Sequence, residues 1–187
     1  MQKWKTLSSE YLFKTPFGNL RKDSCELPDG NIIDDYYVNE YSNWVNAIVI
    51  TKENQILLVK QYRYAGQDFF LEIPAGKPEE SETYKEAILR EVREETGYIT
   101  KNEPILLGEF FINPATQNNK VISYLILDSY QAFEQELDPT EFIEFKLVDV
   151  DNIYSKIKSG EINQLFTVSA FYLAMPHLSR ILNLQFN

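Results

Sequence analysis

The chain has 187 residues, with 18 Lys and Arg against 28 Asp and Glu, and a formal net charge of -10. That length suits one domain with an appendage and a real core, while the acidic balance argues against a nucleic-acid partner, whose polymer of phosphates calls for a basic face. A single cysteine, Cys25, excludes an internal disulfide, the start MQKWKTLSSE lacks the apolar stretch of a signal peptide, and no run approaches a membrane span, so the expected setting is soluble and cytoplasmic.

In chain order, residues 11–14, 18–27 and 32–41 read as strands, the last two joined by a turn at Pro28-Asp29-Gly30, and together they make a small antiparallel arm. Residues 44–50 and 55–62 are β-rich runs split by the polar turn Thr51-Lys52-Glu53-Asn54, and 69–73 leads into Pro74-Ala75-Gly76. A helix follows between Ser81, a good N-cap, and Gly97, a good C-terminal stop. Residues 105–113, 120–127 and 142–148 read as strands, and 153–158 and 166–174 as helices. Strands before and after one helix, with a helix at the end, give a mixed α+β layout.

The helix carries the most specific pattern in the chain. Five residues separate Gly76 from Glu82, and seven more separate Glu82 from Arg90-Glu91-Val92-Arg93-Glu94-Glu95-Thr96-Gly97. At about 100° per residue, Glu91, Glu94 and Glu95 share an arc of roughly 100°, flanked by Ile88, Leu89 and Val92, which should face the core. Glu91 and Glu95 are an i, i+4 pair of like charges, costing a few tenths of a kcal/mol on a bare helix and more if partly buried. A divalent cation would relieve that repulsion. An all-oxygen cluster suits Mg²⁺ or Mn²⁺ rather than zinc, and such sites use few carboxylates together with waters and substrate phosphates. Pyrophosphate hydrolysis is the chemistry this favours. The bland alternative is a solvated acidic helix. The lone His177, beside Pro176, reads as a structural or surface residue, and Cys25 as packing rather than nucleophile.

This spacing resembles the Nudix box at every fixed position and departs only at the last apolar slot, filled by Tyr98. The resemblance implies the Nudix fold, a mixed sheet sandwiched between helices, with a catalytic domain over 43–187 and an N-terminal β arm over 1–42. Gln61-Tyr62-Arg63 and Glu72-Ile73-Pro74-Ala75-Gly76-Lys77 look like the runs of ADP-ribose pyrophosphatases and related nucleoside-diphosphate-sugar hydrolases, and Pro114 stands sixteen residues beyond Tyr98, as in members active on ADP-ribose. The next stretch, Ala115-Thr116-Gln117-Asn118-Asn119-Lys120, has neither the Gly nor the acidic residue often found there.

By resemblance, Glu91 and Glu95 would ligate Mg²⁺ with the Ala75 carbonyl, and Glu94 would be a further ligand or an outer partner. Arg90 would orient these carboxylates. Arg63 would bind substrate phosphate, Glu72 would hold the box or touch substrate, and Pro114 would lie on the substrate side. The catalytic base would come from the acidic loop of residues 134–141, with Glu141 first and Asp138 or Glu136 as substitutes. Tyr11, Phe13, Phe17 and Tyr62 are candidates to stack on a base, though core packing is the favoured assignment for each. Branch members often dimerise through the arm. The expected reaction cleaves ADP-ribose, with GDP-mannose, ADP-glucose or a dinucleoside polyphosphate as alternative substrates. A non-catalytic binding module would show eroded box glutamates or a basic DNA-binding domain, and an isoprenoid diphosphate isomerase would want a cysteine nucleophile in the core.

Overall fold

The computed structural model describes residues 1–182. The chain divides into two compact units, one of Met1–Asn43 with Phe110–Lys120 and one of Trp44–Glu109 with the chain from Val121 on.

The first unit is built on a three-stranded antiparallel sheet of β1 (Lys5–Thr15), β2 (Gly18–Glu26) and β3 (Ile32–Glu40). β1 is longer than the sequence pattern shows, because its pairing with β2 shifts register between Thr6 and Ser8 and again between Tyr11 and Phe13, which breaks the period-two signal. Asp23 is buried on β2 beside Arg21, which bonds it at 2.8 and 2.9 Å and also bonds Glu40. Residues 113–117 join this unit through Asn39, whose N–H donates to the Thr116 carbonyl at 2.8 Å, and through the Tyr36 hydroxyl, which donates to the Ala115 carbonyl at 2.6 Å. That segment falls within the 43–187 range expected of the catalytic domain. All eleven residues of β1 are exposed, and so are Tyr11 (43%), Phe13 (67%), Phe17 (82%) and, in the second unit, Tyr62 (46%). Core packing is therefore not the role of any of the four.

The second unit contains β4 (Trp44–Thr51), β5 (Gln55–Arg63), β6 (Asp68–Glu72), β7 (Ala75–Gly76), α1 (Tyr84–Thr96), β8 (Tyr98–Ile99), most of β9 (Ile105–Phe111) and β10 (Lys120–Gln131), then β11 (Ile143–Asp149), α2 (Val150–Lys158) and α3 (Leu165–Leu182). The sheet order is β11-β5-β4-β10-β8, with β6 added to β5, β7 to β4 and β9 to β10. β4 pairs in parallel with β10, and its sequence WVNAIVIT is a nearly unbroken apolar run, as a strand covered on both faces requires. Val45, Ala47 and Val49 pack with Ile88 and Val92 of α1, while Ile48 and Ile50 pack with Phe171, Ala174 and Leu178 of α3. The two-residue strand β7 pairs with Val45 and Asn46 at the start of β4, which seats the residues just before the box loop against the centre of the sheet.

Three expectations are corrected. The N-cap of α1 is Thr83, not Ser81: Ser81 sits at φ 70 in the turn closed by Glu82 N–H on the Glu79 carbonyl, and Thr83 forms a reciprocal capping box with Glu86. α3 runs through Pro176 to Leu182 instead of ending near residue 174. At 18 residues with hydropathy 1.2, it is also long and apolar enough, by length and composition, to cross a membrane. Here its Ala170, Phe171, Ala174 and Leu178 lie fully buried in the core of the unit.

Candidate active site

α1 begins at its capping box and ends at Gly97, which takes the left-handed φ of 75 and donates to the Arg93 carbonyl. Between them one arginine organises the acidic face. Arg90 donates to Glu82 through Nε and Nη2 at 3.0 Å each, to the Lys77 carbonyl at 3.0 Å, and through Nη1 to Glu91 at 3.0 Å and Glu94 at 2.9 Å. It thereby ties the loop before the helix to two helix carboxylates, and these bonds raise its pKa further above the ordinary arginine value. Arg93 holds the other oxygen of Glu94 at 3.1 Å.

Glu95 is treated differently. It is 4% exposed, and among the described residues its side chain has one hydrogen bond, from the Ala75 N–H at 3.2 Å. Burial and then the charge of Glu91 push its carboxyl well above the ordinary value, and burial likewise raises Glu91. Gly76 explains how Glu91 fits: a Cβ there would occupy the space of the Glu91 carboxylate. Two carboxylates that repel each other and are poorly solvated thus share one pocket floor with β7.

Above them the chain after β10 is stitched to the end of α1. Gly97 accepts from Ala132 and Phe133 at 3.0 and 3.1 Å, the Glu94 carbonyl accepts from Glu136 N–H at 2.9 Å, and the Gln135 amide donates to the Glu95 and Ile143 carbonyls at 2.6 and 3.2 Å. These bonds place Glu136, Asp138 and Glu141 on the wall of a cavity of about 520 Å³ that also takes in Glu91, Glu94, Glu95, Ala75, Arg63 and Trp44. Glu141 is the loop acid whose charge reaches Glu91, Glu95 and Arg63. Asp138 N–H donates to the Glu141 carboxylate at 3.2 Å, while Glu136 lies 3.6 Å from Arg93.

Arg63, at the end of β5, grips Glu72 with Nε at 3.0 Å and Nη2 at 2.6 Å, leaving Nη1 outside that fork. Glu72 is buried and so serves as the counter-charge that holds Arg63 in place. Pro114 lies in the first unit, in the segment paired with β3, and not in the second unit that contains the acidic cavity. Trp44 and Gln135 are given no role at the site by the sequence, and Gln61 enters there only as part of the run Gln61-Tyr62-Arg63. Trp44 begins β4, Gln61 lies inside β5 paired with β6 and β11, and Gln135 acts through backbone carbonyls that no spacing reveals.

Among the described residues no three His, Cys, Asp or Glu side chains are gathered into a ready metal site. The donor chemistry nevertheless fits a hard divalent cation. Such an ion needs only one or two protein carboxylates when waters and substrate phosphates complete its shell, and Glu95 is a buried acid whose one side-chain hydrogen bond among the described residues comes from a backbone N–H, with the Glu91 charge beside it.

A box helix on a mixed sheet, with its glutamates turned into a cavity beside an arginine, defines a Nudix hydrolase. Residues 42–166 match the NUDIX domain, and the chain belongs to that family. Residues 4–39 match the nucleoside diphosphate sugar hydrolase N-terminal domain, which puts the chain with the ADP-ribose pyrophosphatase-like members. It is 29% identical over 168 residues to an ADP-ribose pyrophosphatase of Bacillus subtilis (strain 168), and 32% identical over 167 residues to a methanol dehydrogenase activator of Bacillus methanolicus, each match covering 89% of both chains. A crystal structure of an ADP compounds hydrolase shares the fold with a TM-score of 0.83 over 96% of both chains, at 18% identity. Nudix hydrolases generally use divalent metal ions.

Proposed function

We propose that this hydrolase cleaves the pyrophosphate bond of ADP-ribose, releasing AMP and ribose 5-phosphate, with Mg²⁺ as its ion and Mn²⁺ as a substitute. The carrying observation is the pair of neighbouring carboxylates, buried Glu95 and half-buried Glu91, in one cavity with Arg63. The family of the arm and the name of the Bacillus subtilis relative support a nucleoside diphosphate sugar as substrate.

In this reading Glu91 and Glu95, with the Ala75 carbonyl, hold the cation, and Arg90 keeps Glu91 and Glu94 in register. When bound, the cation neutralises phosphate charge and orients the attacking water. Arg63, fixed by Glu72, receives a phosphate oxygen on its Nη1 edge. Glu141 accepts the proton of the attacking water as its oxygen bonds to phosphorus and the bridging oxygen departs with the other phosphate. The enzyme works in the cytoplasm as a homodimer joined through the arm.

A panel of ADP-ribose, ADP-glucose and GDP-mannose, with phosphate released after phosphatase coupling, tests the reading. ADP-ribose should turn over fastest with Mg²⁺ or Mn²⁺, and EDTA should abolish the activity. Full turnover in EDTA sinks the metal assignment, and a clear preference for GDP-mannose moves the substrate.

A further inference from the structure

Between Glu72 and Gly76 the chain crosses from one strand neighbour to another. Glu72 ends β6 opposite Val59 of β5, and Ala75 begins β7 opposite Asn46 of β4, while Ile73 and Pro74 belong to neither ladder. Pro74 has no N–H, and its carbonyl accepts from Ala47 N–H at 3.2 Å. Ile73 has a buried N–H outside the sheet, and its partner is a side chain of α3: the Thr167 hydroxyl accepts it at 3.1 Å. Cavities flank this crossing on two sides. Glu72, Ile73 and Ala75 border a second cavity of about 320 Å³, Ala75 and Gly76 border the acidic one, and Trp44 and Arg63 line both. With open space on both sides, hydrogen bonds must hold the main chain where packing would hold it elsewhere.

Thr167 is not explained by the needs of its own helix. It is buried beside Ala170 and Phe171, and a β-branched residue with a hydroxyl is a modest helix former. Valine has nearly the same shape and would bring no polar atom into the interior. The hydroxyl is nevertheless aimed with care. It donates to the Gln164 side-chain oxygen at 2.9 Å, which leaves its lone pairs for Ile73. Gln164 in turn plays the part of an N-cap, accepting from Val168 N–H through its carbonyl at 3.1 Å and from Thr167 N–H through its side chain at 2.8 Å. Phe171, Ala174 and Leu178 lock α3 into the core, so Ile73 is tied to a fixed helix end.

We infer that Thr167 is a positioning residue for the reaction: by anchoring Ile73 it sets the two ends of the crossing, and with them the two halves of the site, against each other. Upstream, Glu72 grips Arg63 at 3.0 and 2.6 Å. Downstream, Ala75 N–H donates to Glu95 at 3.2 Å. A crossing free to drift would carry Arg63 and the acidic pair apart. The assignment deepens the pyrophosphatase reading and rests on it for the roles of Arg63 and Glu95, whereas the anchor itself does not depend on it.

Thr167→Val keeps the shape and removes the hydroxyl, and Thr167→Ser keeps the hydroxyl and removes a methyl group, so the pair separates anchoring from packing. Amide hydrogen exchange followed by NMR reads the anchor without metal or substrate. In Thr167→Val, exchange at Ile73 and Ala75 should quicken about tenfold more than at Ile48 and Val49, whose amides at the centre of the sheet report opening of the whole unit. With ADP-ribose and Mg²⁺, Thr167→Val should lose about ten- to a hundredfold in kcat, the scale of a small misplacement of reacting groups, and Thr167→Ser should stay near wild type in both measurements. A folded Thr167→Val with wild-type kcat overturns the assignment, as does exchange at Ile73 that merely follows Ile48. Greater loss in Thr167→Ser than in Thr167→Val would assign the residue to packing and overturn it too. Should Thr167→Val not fold, Gln164→Leu, at a half-buried position, removes the acceptor that aims the hydroxyl. It should quicken the same amides and lower kcat, and wild-type behaviour there counts equally against the assignment. If the wild type cleaves no nucleoside diphosphate sugar, the pyrophosphatase reading fails by itself; selective exchange at Ile73 and Ala75 in Thr167→Val then still supports the anchor, and its absence removes it.

Discussion

A Cβ at Gly76 would run into the Glu91 carboxylate, whereas one at Gly97 would run into the backbone carbonyl of Phe133. The first obstacle is the tip of a flexible side chain and the second is main chain, so the two box glycines should fail differently. Gly76→Ala should fold with little loss of stability but push Glu91 aside, lowering kcat by about a hundredfold, as misplacement of a positioned group by an ångström can. Gly97→Ala adds the strain of φ 75 to its clash and should cost about 1–3 kcal/mol. Thermal melts and turnover measured side by side check both, and a stable, active Gly97→Ala protein contradicts the account. At Glu95 the substitution to Gln keeps shape and removes charge, so kcat should fall by about two to four orders of magnitude. Metal-free stability should hold or rise, because the carboxylate is buried beside Glu91. An unfolded Glu95→Gln would instead mean that the helix face is structural.

At the scale of single elements, how much was legible follows from how much of each signal is local. α1 declares itself through Gly97, its apolar stripe and the glutamate spacing, and its start is misplaced by two residues only because Ser81 and Thr83 both have capping side chains. The capping box to Glu86 decides between them. β7 and β8, of two residues each, are invisible to periodicity because a pair of residues has no period. The hold of Arg90 on Glu91 and Glu94 is what the box resemblance implies, but its bonds to Glu82, which lies before the helix, and the Arg63–Glu72 fork, which depends on the pairing of β5 with β6, are revealed only by the fold. The acidic loop after β10 is legible as acidic, while its docking onto α1 through Gln135 is not. Glu141→Gln should lower kcat strongly with KM nearly unchanged. Wild-type turnover in that variant, beside an inactive Asp138→Asn, transfers the base to Asp138. In the arm, Asp23 offers a separate test: burial raises its carboxyl, but hydrogen bonds from Arg21 and Ser9 outweigh that and lower it below the ordinary value. A depressed folded-state value means that the stabilisation is complete above the unfolded value, near 3.9, and fades as pH falls through the folded one. Asp23→Asn should therefore cost about 2 kcal/mol at neutral pH, with the gap to wild type closing below about pH 4. Denaturant melts at both pH values measure it, and a gap that does not change with pH rules the linkage out.

For the molecule as a whole, β1 leaves Leu7, Tyr11, Leu12 and Phe13 in solvent. A small sheet with so much uncovered apolar surface is marginal by itself, and association with a second copy is the expected remedy. Light scattering at micromolar concentration should give twice the mass of one chain, and a monomer there excludes the dimer. Neither the length nor the charge of the chain discloses that exposure, because only residues 11–14 of β1 read as a strand and its faces are not defined until its pairing is known.

The two tryptophans are divided between the units: Trp4 lies edge-on to Tyr36 in the first, and Trp44 stands at the wall of both cavities in the second. Each is therefore a built-in fluorophore for one half of the protein. Emission from Trp4→Phe protein should respond to nucleotide added to the cavity, while emission from Trp44→Phe protein should follow dilution of the assembly. If the halves melt as one cooperative body, the two emission curves will superimpose on heating; if they separate, the arm has a transition of its own.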